Sequence, residues 1–333
     1  MTELTETKKD LSLKEIRRVV SEEMEEFNRA FTESMNSRVY LIKKIANYIT
    51  KQRSKKVRPM LLLLSARMCG KPTNNTYQAA VLVELIHTAT LIHDDVVDGA
   101  EIRRGLPSIN AVWKNKISVL MGDYLFSKAL INMIKLEDFE ALKLLSDTAE
   151  RLSSGEILQI EKAKSDGMDE EIYYEMIKDK TASLISAACR LGAITVVDDE
   201  DKADALAEYG ENLGMAFQIK DDLFEFVGKR SIIGKPVGRD VKENIITLPL
   251  LHTMDTLPDR ESKKLMKTLK RGPKNKQVKE IVEKVANNGG VAYAREKLKE
   301  FTDRAVSALD IFPDNEYKKA LVDFATFNMI RQK

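Results

Sequence analysis

Val83-Glu84-Leu85-Ile86-His87-Thr88-Ala89-Thr90-Leu91-Ile92-His93-Asp94-Asp95-Val96-Val97-Asp98-Gly99 reads as the end of one long helix. Its apolar residues recur at helical spacing, and Gly99 is placed to cap the C-terminus. Asp94 and Asp98 are four apart, so both carboxylates share a face. Three acids in the last turn oppose the helix dipole, whose C-terminal end is negative. The like-charge pair costs a further ~0.2–0.5 kcal/mol. Selection for stability alone would not choose this arrangement, whereas a bound cation removes both penalties. Oxygen-only ligands point to Mg²⁺, which takes one or two carboxylates, waters and phosphate oxygens. The plain alternative is a solvated acidic helix end. Ile102-Arg103-Arg104-Gly105, one loop downstream, weighs against it, because guanidinium groups bind phosphate bidentately.

The pattern recurs at Ala216-Phe217-Gln218-Ile219-Lys220-Asp221-Asp222-Leu223-Phe224-Glu225-Phe226-Val227-Gly228. Asp221 and Glu225 are again four apart near a helix end, and glycine again follows. Two sites that break the same stability rule mark function rather than surface decoration. Facing each other, they would hold several Mg²⁺ ions around one diphosphate.

Helical periodicity extends outward from these stretches to almost the whole chain. It predicts helices at about 12–34, 37–51, 57–69, 75–98, 108–113, 117–135, 137–163, 169–195, 201–227, 245–256, 260–270, 275–287, 290–309 and 314–331. No run of alternating β-branched residues predicts a strand. Pro59 and Pro249 read as first-turn prolines, and Gly234-Lys235-Pro236-Val237-Gly238 reads as a loop. No linker divides the helices. The expectation is an all-α, single-domain bundle over 11–333 around a central cavity, after a polar tail at 1–10. Net charge is only +2, which gives no case for a nucleic-acid partner. Cys69 and Cys189 match no metal-ligand spacing and read as reduced core residues. There is no apolar leader and no uncharged stretch of membrane-spanning length, so a cytoplasmic protein is expected. The Lys/Arg-rich segment Lys263 to Lys279 reads as a solvated face.

These residues resemble the trans-isoprenyl (polyprenyl) diphosphate synthases over nearly the whole chain. The resemblance rests on Asp94-Asp95-Val96-Val97-Asp98 with Arg103-Arg104-Gly105, and on Phe217-Gln218-Ile219-Lys220-Asp221-Asp222-Leu223-Phe224-Glu225. It rests also on Lys55-Lys56-Val57-Arg58-Pro59, Gly155-Glu156-Ile157-Leu158-Gln159, Lys180-Thr181 and Gly234-Lys235-Pro236-Val237-Gly238-Arg239-Asp240. Glu84 to Gly105, with Val119-Leu120-Met121-Gly122-Asp123, looks closest to the long-chain octaprenyl and solanesyl members. Some positions depart from the pattern. Glu225 replaces the last aspartate of the second motif, and Ser54 stands where a glycine is usual. Asn244 and Ile245 stand where many members have Gly-Lys.

The resemblance implies head-to-tail condensation of isopentenyl diphosphate onto an allylic diphosphate, with farnesyl or geranylgeranyl diphosphate expected as primer. It assigns metal binding to Asp94, Asp98, Asp221 and Asp222, with Asp240 in support. Arg103, Lys180 and Lys235 would contact the allylic phosphates. The Lys180 carbonyl, the Thr181 hydroxyl and the Gln218 amide would stabilise the allylic cation. Lys55, Arg58, His87 and Arg104 would hold isopentenyl diphosphate. Taken singly, Lys55 is a solvated charge and His87 a core histidine. His93 reads as structural, and Trp113 as core or rim.

Short-chain members carry aromatic side chains just before the first acid motif, where this chain has Ala89 and Thr90. The resemblance therefore implies a product longer than geranylgeranyl (more than C20). Phe126, Ala129, Ile131 and Met133 are candidates for the tunnel floor. A homodimer is implied by resemblance alone. The competing readings are a short- or medium-chain synthase, a terpene cyclase, a non-catalytic subunit of a heteromeric synthase, and a structural helical protein. Asp221-Asp222 and the Arg58-Pro59 region argue against a cyclase. Intact acid motifs argue against a non-catalytic subunit.

Overall fold

The structure, a computed structural model, describes residues 12–52, 54–164, 167–227 and 238–331. The tail at 1–10 and the loop residues 234–237 lie outside them.

The described chain is helical almost throughout. Its first half comprises α1 Leu13–Arg18, α2 Ser21–Ser34, α3 Tyr40–Lys51, α4 Val57–Cys69, α5 Asn74–Val97, α6 Ile109–Lys135 and α7 Phe139–Lys164. Then come α8 Glu170–Ile177, a π-helical turn Lys178–Ala182, α9 Ser183–Ile194 and α10 Glu200–Val227. The rest is α11 Arg239–Lys242, α12 Leu248–Thr256, α13 Asp259–Lys270, α14 Asn275–Asn287, α15 Gly290–Ser307 and α16 Glu316–Ile330. Pro59 and Pro249 do lie in the first turns of α4 and α12.

Three local expectations need correction. The helix expected over 12–34 is two helices, because Val20 leaves helical geometry at φ −124° and ψ 36°. The helix expected over 169–195 contains the π turn. A short hairpin also exists, pairing β1 Ile102–Arg103 with β2 Leu106–Pro107. Its turn residues are Arg104 at φ 54° and Gly105 at φ 79°. Two positive φ values in a two-residue loop match the twist of paired strands, but Arg-Gly is not a recognised hairpin signal. The break expected between 113 and 117 is present: α6 kinks at Lys114, whose φ is 69°.

Buried apolar residues fall into two clusters. One is built from α1 to α7, α9 and α16. The other is built from α8 and α11 to α15, and the last turn of α15 reaches the first cluster at Ala305. α10 serves both: Leu206, Tyr209 and Leu213 belong to the first, and Met215, Ile219, Leu223 and Phe226 to the second. The acid motifs sit near this junction, the first ending α5 and the second ending α10. Among the described helices, α6 alone is long and apolar enough to cross a membrane by length and composition. Its inner face packs against α5. Its outer face exposes Val112, Val119, Leu120, Leu130, Ile131 and Ile134.

Candidate active site

The C-terminus of α5 closes as expected. Asp98 is the C-cap, and Gly99 follows at φ 60°. The N–H groups of Gly99 and Ala100 donate to the carbonyls of Val96 and Asp95, a Schellman closure that satisfies two orphan acceptors. The three acids therefore sit on a finished helix end. Asp95 is buried, and Arg103 Nε donates to it at 2.7 Å from β1. The hairpin is itself held: Tyr48 donates to the Pro107 carbonyl at 2.7 Å and packs edge-on against Trp113. Asp98 lines the cleft, and Asp94 lies near enough to Glu156, Lys180 and Arg103 to feel their charges. Burial pushes the Asp94 carboxyl up to about 6, with Glu156 and Asp98 adding to it and Lys180 and Arg103 opposing.

The second motif is built differently. Asp222 is buried and accepts from Tyr173 at 2.6 Å and from Gln218 Nε2 at 2.8 Å. Gln218 Oε1 in turn accepts from the Thr181 hydroxyl at 2.8 Å. One chain of hydrogen bonds thus joins Thr181, Gln218, Asp222 and Tyr173. Burial pushes Asp222 up to about 7, although both hydrogen bonds pull the other way. Asp240 rises to about 8, through burial first and then the Glu225 and Asp222 charges. Asp221 meets Arg331, which follows α16.

Glu225 has a task of its own. Its carboxylate accepts from the Arg239 N–H at 2.7 Å and the Asp240 N–H at 3.5 Å. It caps the short helix that presents Asp240, and the longer glutamate arm makes that reach. The Asn244 departure also has a reason. Its φ is 60°, a conformation asparagine tolerates better than most residues. Its Nδ2 donates to the Ala163 carbonyl at 2.6 Å. Ile245 lines the cleft beside it.

Lys180 and Thr181 stand in the π turn. Wide turns of this kind commonly mark functional sites. Glycines let neighbouring helices reach it: a Cβ at Gly155 of α7 would lie 2.6 Å from the Lys180 nitrogen, and one at Gly214 of α10 would lie 2.5 Å from Ala182 Cα. Lys180 Nζ pairs with Glu156 at 2.5 Å and donates to Gln159 at 2.9 Å.

Asp98, Asp222, Asp240, Arg103, Lys180 and Gln218 line a cleft of about 220 Å³. Larger grooves of about 960 and 750 Å³ lie elsewhere on the surface, between α10 and α15 and between α13 and α14; they gather none of these residues. On the far side of Arg103, a small cavity touches Lys56, Glu84, Thr88, Asp95 and Arg104. Arg104 and Arg58 converge with Lys56 around the buried Glu84 carboxyl, which burial raises and the three cations lower. Arg58 Nη1 lies 2.9 Å from His87 Nε2. Arginine can only donate, so Nε2 accepts and the ring proton sits on Nδ1. Burial and the flanking guanidinium groups hold the His87 pKa well below its usual value. Lys55 is exposed at the start of α4, while Lys56 turns inward and donates to Asn28 at 2.8 Å. Lys235 lies outside the described residues.

Ala89 is fully buried and Thr90 half-buried on α5. Of the floor candidates, Ala129 and Met133 are buried, and Phe126 stacks on His93. Ile131 is 52% exposed on the outer face of α6, so it does not line the interior of this chain. Cys69 and Cys189 are free thiols. Tyr173, Glu84 and Arg331 were not singled out from sequence. Tyr173 sits in a plain apolar run, Glu84 lies inside a helix ten residues before the acids, and Arg331 is over a hundred residues from Asp221. No local pattern marks any of them.

The donor set fits Mg²⁺. It is all carboxylate, and burial, with neighbouring acids adding to it, pushes three of its carboxyls upward. Among the described residues no three acids, histidines or cysteines converge closely enough to hold an ion alone. That is the expected arrangement where water and substrate phosphate complete the shell.

The sequence profile of the polyprenyl synthetase family matches residues 39–285. An octaprenyl diphosphate synthase of Haemophilus influenzae is 34% identical over 97% of this chain and 99% of its own length. An all-trans-nonaprenyl-diphosphate synthase of Rhodobacter capsulatus is 30% identical over 94% of this chain and 96% of its own. The crystal structure of a Caulobacter crescentus polyprenyl synthase with calcium and isoprenyl diphosphate superposes with a TM-score of 0.90, at 33% identity, over 97% of this chain and 98% of that one. With its acid motifs, arginine hairpin and π turn set in that fold, the chain belongs to the polyprenyl synthetase family and is a prenyltransferase.

Proposed function

We propose that the chain condenses isopentenyl diphosphate onto an allylic diphosphate, giving an all-trans polyprenyl diphosphate longer than C20. The observation that carries this reading is the convergence of Asp98, Asp222, Asp240, Arg103 and Lys180 on one cleft. Asp94, Asp98, Asp221 and Asp222 would hold Mg²⁺, with Asp240 beside them. Bound there, the ion supplies Lewis-acid stabilisation of charge developing on the leaving diphosphate.

The protein's own groups do the rest. Arg103 and Lys180 provide fixed positive charge at the phosphates, an electrostatic contribution that needs no reorganisation during reaction. Lys235 belongs to the same reading. The Thr181 hydroxyl donates to Gln218 and so turns its own lone pairs outward. Thr181, the Gln218 amide and the Lys180 carbonyl supply dipoles that stabilise an allylic cation without reacting with it. Arg58, Arg104 and Lys55 would bind isopentenyl diphosphate, with neutral His87 orienting Arg58. The buried Glu84 keeps that cationic group together in the absence of ligand.

Small Ala89 and Thr90 on α5 are the positions past which a growing chain would run. Ala89→Tyr is expected to shorten the product to about the farnesyl class. An unchanged product spectrum would overturn this account of chain length. The exposed apolar stripe on α6 supports a homodimer, which sedimentation analysis tests. The free thiols fit a cytoplasmic location. Incubation of purified protein with Mg²⁺, labelled isopentenyl diphosphate and farnesyl diphosphate tests the activity. Chain-lengthened diphosphates are expected. Cyclic hydrocarbon, or turnover only with an added subunit, would sink the proposal.

A further inference from the structure

Arg331 is charged, yet its side chain is only 9% exposed. Its Nη2 pairs with Asp221 Oδ1 and lies 3.4 Å from the Phe217 carbonyl. Its Nε donates to the buried Asn328 at 2.9 Å. Its guanidinium carbon stands 4.3 Å from the centre of the Phe217 ring and 5.2 Å from that of Phe224. Beside it, Lys220 Nζ donates to the Met329 carbonyl at 2.8 Å. Phe217, Lys220, Asp221 and Phe224 are spaced 0, 3, 4 and 7 along α10, so the end of α16 grips one face of the helix.

A buried guanidinium is costly unless paired and hydrogen-bonded. Here every element of the packing directs it to one carboxylate. Asp221 itself is 42% exposed and meets Arg331 through Oδ1. Mg²⁺ demands near-ideal octahedral geometry, and an exposed aspartate that rotates freely must be ordered when the ion binds. We propose that Arg331 is a positioning residue that holds Asp221 in its ligating orientation, so that this one residue just after α16 is part of the second metal site. This rests on the reading of Asp221 as a metal ligand. An arginine suits the role because its planar group fits between two rings while donating along its edge. Outer partners of metal ligands typically change affinity by about 10–100-fold when removed.

The test is a Mn²⁺ titration followed by electron paramagnetic resonance, with inorganic pyrophosphate present. The proteins are wild type, R331Q, R331K, D221N and the double variant R331Q/D221N. R331Q is expected to weaken Mn²⁺ binding by about 10–100-fold, R331K by less, and the double variant no more than D221N. Unchanged affinity in R331Q alongside weakened D221N overturns the positioning role. Effects that add in the double variant overturn it as well, because Arg331 would then act elsewhere. Wild-type affinity in D221N overturns instead the assignment of Asp221 as a ligand. Thermal melts of the metal-free proteins show whether R331Q is folded. If it is not, R331K carries the same comparison, and wild-type affinity there overturns the role.

Discussion

The middle acid of each motif is buried, and the two are held in opposite ways. Asp95 accepts from a cation, Arg103, delivered by a hairpin that follows its own helix. Asp222 accepts from a phenol and an amide, Tyr173 and Gln218, and receives no compensating positive charge from them. The first site is therefore largely neutralised by protein, and its free acids stand on a closed helix end. The second buries Asp222 and Asp240, whose carboxyls rise to about 7 and about 8 chiefly through burial, while Asp221 pairs with Arg331. The lesson is a division of labour. The arginine hairpin balances Asp95 and Arg331 balances Asp221, and metal with substrate would balance Asp222 and Asp240.

The largest expected effect separates the free acids from the held ones. Asp94→Asn should lower kcat by about 10²–10³-fold. Asp222→Asn should cost less, because the amide oxygen still accepts from Gln218 and the Tyr173 hydroxyl can turn to accept from the amide N–H. Equal losses in the labelled-substrate assay would break the comparison. Next comes stability. Arg103→Leu leaves Asp95 buried and unpaired, at about 2–3 kcal/mol, less than a fully buried pair because the guanidinium is 30% exposed. Tyr173→Phe removes one donor of two, at about 1 kcal/mol. Urea unfolding should show that order, and the reverse order contradicts the argument.

The first region also holds neutral His87, with its folded pKa below the usual 6.5. Above pH 6.5 neither state binds the proton and stability is complete. Below it the unfolded chain protonates first, so stability falls as pH falls. Stability contributed at His87 therefore declines from pH 7.5 to 5.5. His87→Gln should flatten that part of the stability–pH curve, and an unaltered slope would show that His87 does not set it. The smallest effect is at Glu225→Asp, where the shorter arm should release the cap on α11. That costs about 1 kcal/mol locally and should raise the Mg²⁺ concentration for half-maximal rate. No change in Mg²⁺ dependence would mean Asp240 needs no such support.

The helices and both acid motifs were legible because their signals are local: period, capping glycine, and acids placed against a dipole. The break near Lys114 was legible for the same reason. The hairpin was not, since a positive φ at Arg104 is imposed by tertiary contacts such as Tyr48 on Pro107. The partners of the acids were legible only in part. Arg103 lies eight residues from Asp95, while Tyr173 lies 49 from Asp222 and Arg331 110 from Asp221. Glu225 reads from sequence only as a replacement for the motif's last aspartate. Its longer arm is what connects it to α11.

The π turn has a genetic consequence. A turn closed by i→i+5 bonds holds one residue more than an α-turn, and each α-helical residue advances the face by about 100°. Before it, Tyr173 and Met176 belong to one apolar cluster; after it, Leu184, Ile185 and Ala188 belong to the other. Loss of a single codon between 178 and 182 would let the α-helix run straight through. The helix after it would keep its phase, because the π turn absorbs the extra residue; what the deletion removes is the wide turn that presents Lys180 and Thr181. Such a deletion keeps both acid motifs, the charge balance and nearly all the composition intact. A lineage could thus lose this enzyme through a frame-preserving deletion that motif searches would pass as sound.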